Sequence, residues 1–258
     1  MSEILANRWT AVATVAAVAA IGLPVQWMRS DTGWTLAAVV VILGVVVAAA
    51  IIRSRPAVRT AVVAVILTIP VLAFGPVGWP LPLAVAPVAL WALGRVLPAA
   101  RPSRPWFRMG RMTPDLPWLT LATVVVSGAA LLVWALLARP EPGVYLGTLR
   151  DESALLAIAG IAAFSLVNAA CEEVVFRGIL QTELTTVVGT WPAVAVQAVV
   201  FGLLHITGFP SGLTGVALAT VYGGLVGVLR VRSDGLMAPY IAHVAADVTI
   251  GVVVVAVL

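Results

Sequence analysis

The stretch CEEVVFRGIL, Cys171–Leu180, sets two adjacent carboxylates and an arginine against an apolar background. The residues just before it, SALLAIAGIAAFSLVNAA (Ser153–Ala170), carry no charge. A charge at the centre of a membrane helix costs roughly 2.5–3.5 kcal/mol on insertion scales. Glu172, Glu173 and Arg177 therefore need something in the fold that offsets the cost. Composition says what kind of fold that is. Of 258 residues, 62% are hydrophobic and 10% are charged, and the mean hydropathy is +1.10. Soluble domains run close to a quarter charged. The fold class is all-α, a polytopic membrane helical bundle of about eight to nine transmembrane helices.

The isoelectric point near 10.2 would suggest a nucleic-acid partner in a soluble protein. Here all fifteen basic residues are arginine, and most flank apolar runs, which is a pattern of membrane orientation. No nucleic acid is expected. The single cysteine, Cys171, excludes an internal disulfide and a multi-cysteine zinc site. Glu3 and Arg8 precede the first apolar run, which is expected to be a retained span rather than a cleaved signal peptide.

A span takes about 20 apolar residues. By that measure the candidates are Trp9–Gln26, Trp34–Ile52, Val58–Phe74, Trp79–Leu97, Trp118–Ala138, Ser153–Gln181, Pro192–Ile206, Ser211–Leu229 and Leu236–Leu258. The third is short and the fourth holds Pro82 and Pro87, so this pair is open to a re-entrant segment. Trp9, Trp27, Trp34, Trp79, Trp118 and Trp191 at span ends suit an interfacial belt. Arginine-rich connections (Arg53, Arg55 and Arg59; Arg95 to Arg111; Arg230 and Arg232) alternate with neutral or balanced ones. The positive-inside rule then places the N-terminus in the cytoplasm and the C-terminus outside a plasma (inner) membrane. The Pro- and Arg-rich segment 98–117 divides N-terminal helices, 1–97, from a C-terminal core, 118–258. It reads as a linker and orientation signal, with contact to anionic lipid as the alternative. Gly223 and Gly227, at GxxxG spacing, predict a close helix approach.

The ionisable groups of the last four spans are few. They are Glu172, Glu173, Arg177, His205, His243 and Asp247, with Glu183 and Arg230 near span ends. Both histidines of the chain fall in this set. Glu173 and Arg177, Phe201 and His205, and His243 and Asp247 are each four residues apart, hence on one helix face. In a membrane such faces point into the bundle or a wet cavity. Imidazoles and carboxylates in a low-dielectric pocket can activate a water and meet a developing oxyanion. The same groups, Glu172, His205, His243 and Asp247, would suit a divalent metal such as zinc. Hydrolysis of an amide near the membrane is the reaction class that follows. Each residue also has a plainer account. Glu173–Arg177 is open to being a structural ion pair, His205 a satisfied buried histidine, and Asp247 a partner that orients His243. Phe201 and Cys171 are expected to pack, Asn168 to bond within the bundle, and Glu183 to lie at the interface. From the assigned span ends Glu172 comes out about 13 Å deep and His205 near 20 Å. The two can meet only if the seventh span starts earlier or tilts.

EEVVFR, FGLLH and HVAAD, in this order, resemble the three motifs of the CPBP intramembrane proteases, also called the Abi or CAAX-protease family, which includes the type II CAAX prenyl endopeptidases. The resemblance covers roughly Ser153 to Leu258. It implies an all-helical membrane fold with the site in a cavity open to the cytoplasmic leaflet. It implies Glu172 as the water-activating base with His205 its partner. His243 and Asp247 would line the other side and stabilise the oxyanion, and Glu173 and Arg177 would brace the site. Asp247 stands where prenyl-processing members carry Asn, which favours a metal and weakens a direct carry-over of the metal-free oxyanion role. The family has been described both as metal-dependent and as glutamate-type. Membrane lipid and a peptide or protein substrate, lipidated in some relatives, are the partners implied. Two other classes remain open on the residues alone. One is a proton-coupled transporter, which membrane-embedded Glu, His and Asp can mark. The other is a non-catalytic immunity or partner-binding protein.

Overall fold

The computed structural model describes residues 2–22, 32–74, 80–102, 104–141 and 147–257. Helices occur at the positions where hydropathy marks spans, and no strand occurs among the described residues. They are α1 (Ser2–Gly22), α2 (Thr32–Ile52), α3 (Arg55–Phe74), α4 (Leu81–Val96), α5 (Leu116–Ala138), α6 (Ala154–Val188), α7 (Thr190–Leu203), α8 (Gly212–Ser233) and α9 (Met237–Ala256). Four of them, α5, α6, α8 and α9, are long and apolar enough to cross a membrane. The 23 residues of α5 rise about 34 Å, against a hydrocarbon core of about 30 Å. The chain is a helical membrane bundle. Trp27 and Trp79, and with them the end of the first expected span and the start of the fourth, lie outside the described residues.

The outside of the bundle is apolar, and its inside holds charged and polar side chains among apolar ones. Leu132, Val133 and Leu137 of α5 and Leu155, Ile158 and Val167 of α6 are exposed, while Arg59, Arg177, Glu173, Glu183 and Gln197 are fully buried. A soluble fold would reverse that arrangement. In lipid it is the stable one, because polar side chains find partners only within the bundle.

α4 is one continuous helix of 16 residues, about 24 Å long. Pro82 sits in its first turn, where a missing N–H costs no helical hydrogen bond, and Pro87 lies inside it. The helices on either side of the linker share one apolar cluster. It runs from Val18 and Ile21 of α1 through Leu67 of α3 and Leu83 of α4 to Phe176 and Ile179 of α6.

α6 is longer than its expected span. It passes Gln181 and ends at Val188, and its middle, Val174–Leu180, is wound as a π-helix. The chain turns at Gly189, with φ of 86°, and α7 starts at once. Glu172 is 17 residues before that glycine and His205 is 16 after it. The two arms of this hairpin therefore bring both residues to the same level. The depth mismatch expected from the sequence narrows because α6 ends later, at Val188, and α7 starts earlier, at Thr190.

The arginine-rich connections meet at one end. The Arg59 guanidinium of α3 donates to the Arg101 carbonyl. Arg101 Nε donates to Gly94 O at the end of α4, at 2.8 Å. The backbone of 108–111 pairs with the α8–α9 turn through Leu236 N to Arg108 O, 2.8 Å, and Arg111 N to Ser233 O, 2.7 Å. The segment expected to be a linker is thus docked along the base of the bundle. Trp106 is buried and its Nε1 donates to Glu183 at 3.0 Å.

Candidate active site

α6, α7, α8 and α9 each supply one part of a buried polar cluster. On α6 the i,i+4 spacing does what it predicts. Arg177 Nη1 donates to Glu173 Oε1 at 2.8 Å, and neither side chain is more than 1% exposed. The π-helical turn shapes this stretch. Such a turn shifts the backbone pairing from i+4 to i+5 and recurs at functional sites. Arg230 Nε of α8 donates to the Arg177 carbonyl within it at 3.3 Å.

α9 places His243 at the centre of the cluster. Its Nδ1 lies 2.7 Å from the same Glu173 Oε1 that Arg177 holds. A carboxylate at that distance accepts from Nδ1–H, which fixes the ring orientation. Nε2 then faces Glu172 Oε2 at 3.5 Å and Asp247 Oδ1 at 3.8 Å. Asp247 Oδ2 accepts from Asn168 Nδ2 of α6 at 3.1 Å. The Arg177–Glu173–His243 chain orients one imidazole nitrogen toward two further carboxylates. The structure places Glu172 beside His243.

His205 follows α7 in a short 3₁₀ turn, Leu204–Ile206. Its Nδ1 is 3.0 Å from the Phe201 carbonyl, to which it donates. Nε2 is then the lone-pair nitrogen. Phe201 separates the two histidines, with ring centroids 4.9 Å from His205 and 5.9 Å from His243. It also stacks edge-on to Phe176 and lies 4.6 Å under the Arg177 guanidinium. Phe201 is therefore both packing and an aromatic wall. Tyr222 of α8 completes the ring of aromatics, 5.6 Å from His243.

A cavity of about 150 Å³ opens beside these groups. His205, His243, Asp247 and Tyr222 form its polar side, and Leu131 and Val126 of α5 lie on its apolar side. It is an apolar pocket with a few convergent polar groups. Glycine makes the α7–α8 wall possible. A Cβ at Gly223 would lie 3.2 Å from Ala198 Cα, and one at Gly227 would lie 2.7 Å from Gln197 Nε2. The close approach expected from the GxxxG spacing is present. It also brings the Gly223 carbonyl to Gln197 Nε2, at 2.9 Å, and to Arg177 Nη2, at 3.4 Å.

Among the described residues, no group of three or more His, Cys, Asp or Glu is arranged to hold a metal ion. With His243 Nδ1 held by Glu173 and Asp247 Oδ2 by Asn168, His243 Nε2 and Asp247 Oδ1 are the atoms turned toward Glu172.

Sequence reasoning placed Glu183 at the membrane interface. It is fully buried, 3.0 Å from Arg59 Nη2, because the N-terminal helices and Trp106 cover it. Tyr222 and Gln197 were not singled out. The signal available for Gln197 was its place four residues before Phe201, on the same helix face; Tyr222 carried no such signal.

A family model described as type II CAAX prenyl endopeptidase Rce1-like matches residues 154–249. No curated protein and no solved structure matches the chain. The match runs from the first turn of α6 well into α9 and takes in every polar residue of the cluster. Residues 154–249 are thus similar to the Rce1-like type II CAAX prenyl endopeptidases.

Proposed function

We propose that this protein is an intramembrane endopeptidase that hydrolyses a peptide bond in a membrane-associated peptide or protein, with Glu172 activating the water. One observation carries the reading. Glu172 and Asp247 approach the same nitrogen of His243 at 3.5 and 3.8 Å, beside an apolar cavity. Those distances exceed a direct hydrogen bond and suit a small polar bridge.

In the proposed step Glu172 takes a proton from the water as its oxygen attacks the carbonyl carbon. His205 Nε2, an acceptor, orients the same water. His243, protonated among three carboxylates, donates through Nε2 to the oxyanion. Glu172 then returns the proton to the leaving nitrogen as the C–N bond breaks. Glu173 and Arg177 hold His243 in place, and Asp247 orients its other side. No step is routed through a metal. The substrate's apolar part would lie along the α5 side of the cavity. The gathering of arginines at one end supports a cytoplasmic linker, a cytoplasmic N-terminus and an external C-terminus in the plasma (inner) membrane.

The test compares protein termini in membranes of cells carrying the wild type or Glu172→Ala at equal level. New termini that appear with the wild type and vanish in the variant are expected. Identical termini, with the variant shown to be folded, would move the reading to a partner-binding role.

A further inference from the structure

A second cavity, of about 210 Å³, lies at the arginine-rich end of the bundle. Arg104, Arg108, Arg177 and Arg230 line it, with Thr182 and Thr185. Its lining holds four arginines and one acidic residue, Asp234. That carboxylate is divided among Arg108 at 2.8 Å, Arg230 at 3.5 Å and Arg111 at 3.7 Å. Arg104 has no carboxylate partner among the described residues. Arg177 is fully buried, and its Nε lacks a hydrogen-bond partner.

We propose that this cavity binds a phosphate group. A tetrahedral oxyanion offers several acceptor oxygens to guanidinium forks that approach from different helices, and guanidinium matches phosphate geometry well. A carboxylate has two oxygens and saturates one fork. The cavity is smaller than a drug-sized site, in keeping with a headgroup-sized occupant. It is also placed where spans end, the level at which basic pockets between helices take lipid headgroups. Arg177 belongs to both sites. Its Nη1 holds Glu173 while its carbonyl accepts from Arg230 Nε, a lining residue of the cavity, so the cavity and the His243 brace meet at one residue. The proposal stands apart from the proteolysis reading, because binding is measured without cleavage.

The test uses the full chain purified in detergent and stripped of lipid. Three probes are titrated: inorganic phosphate, phosphatidylglycerol, and a glucosyl diacylglycerol that lacks phosphate. Binding is read by thermal shift and native mass spectrometry, for the wild type and for Arg104→Gln/Arg108→Gln. Phosphatidylglycerol is expected to bind at least tenfold more tightly than the sugar lipid, and the double variant to lose that preference. Stabilisation by inorganic phosphate alone, lost in the double variant, would assign the site to free phosphate instead of a headgroup. Equal binding by wild type and variant, or no binding of either phosphate probe, overturns the proposal. Should the double variant fail to fold, Arg104→Gln alone, at an exposed position, is read the same way.

Discussion

On α6 the Glu183 carboxylate has one guanidinium and one indole N–H to itself, whereas ten residues earlier three carboxylates crowd around one imidazole. Both clusters are buried. The first closes around its carboxylate, with Arg59 on one oxygen and Trp106 on the other, and leaves one atom, Arg59 Nε, without a hydrogen-bond partner. The second is open. Arg177 Nε, Glu173 Oε2 and Asn168 Oδ1 are buried without hydrogen-bond partners, and His243 and Asp247 border a cavity. An unsatisfied buried polar atom lowers stability, by about 1–3 kcal/mol each. A cluster that keeps several of them is poorly explained by structural support. The closed pair joins α3, the docked linker and α6. The open cluster retains polar capacity that a substrate can use.

The contrast is broken most sharply by treating the two glutamates alike. Glu172→Gln is expected to reduce cleavage by about 10²–10⁴-fold, the usual contribution of a general base, with little change in thermal unfolding. Rates on an identified substrate and melting in detergent check it. Glu183→Ala is expected to do the reverse. It leaves Arg59 buried without its carboxylate and should cost about 3–5 kcal/mol of stability. Activity per folded molecule should hold. The double variant Arg59→Met/Glu183→Met removes both charges and should recover most of that loss, which the same melting series reads. The smallest effect is expected from Asn168→Ala. Losing one hydrogen bond to Asp247, worth about 1 kcal/mol, should lower kcat/KM about fivefold. A cycle with Asp247→Ala should be non-additive, since the two side chains touch.

What the residues disclose before folding follows from distance along the chain. The helix positions are legible because each apolar run is a local property. The pairs at i,i+4 are legible for the same reason, and Glu173–Arg177 forms as its spacing requires. The end of α6 was misread because Gln181, Thr182, Glu183, Thr185 and Thr186 look like a solvated loop. In the bundle Gln181 instead donates to Gly227 O at 3.1 Å, and Thr185 and Thr186 bond back to their own helix. Partners far apart in sequence leave no local trace. Arg59 resembles a flanking orientation charge until it meets Glu183. Asn168 and Asp247 lie 79 residues apart. That Glu173, rather than Asp247, takes His243 Nδ1 depends on how α6 and α9 are set against each other.

The π-helical turn of α6 acts as a phase shifter. Glu172 and Glu183 are eleven residues apart, and in an unbroken α-helix they would point within roughly 20° of each other. Val174–Leu180 winds in about one extra residue per turn and so slips the second half of the helix by roughly 100° or more. One continuous rod can then address two neighbours, with its upper carboxylate toward α9 and its lower one toward α3. Chain length across those seven residues is thereby as much a determinant of the site as their chemistry. One deletion would rephase every residue downstream of it.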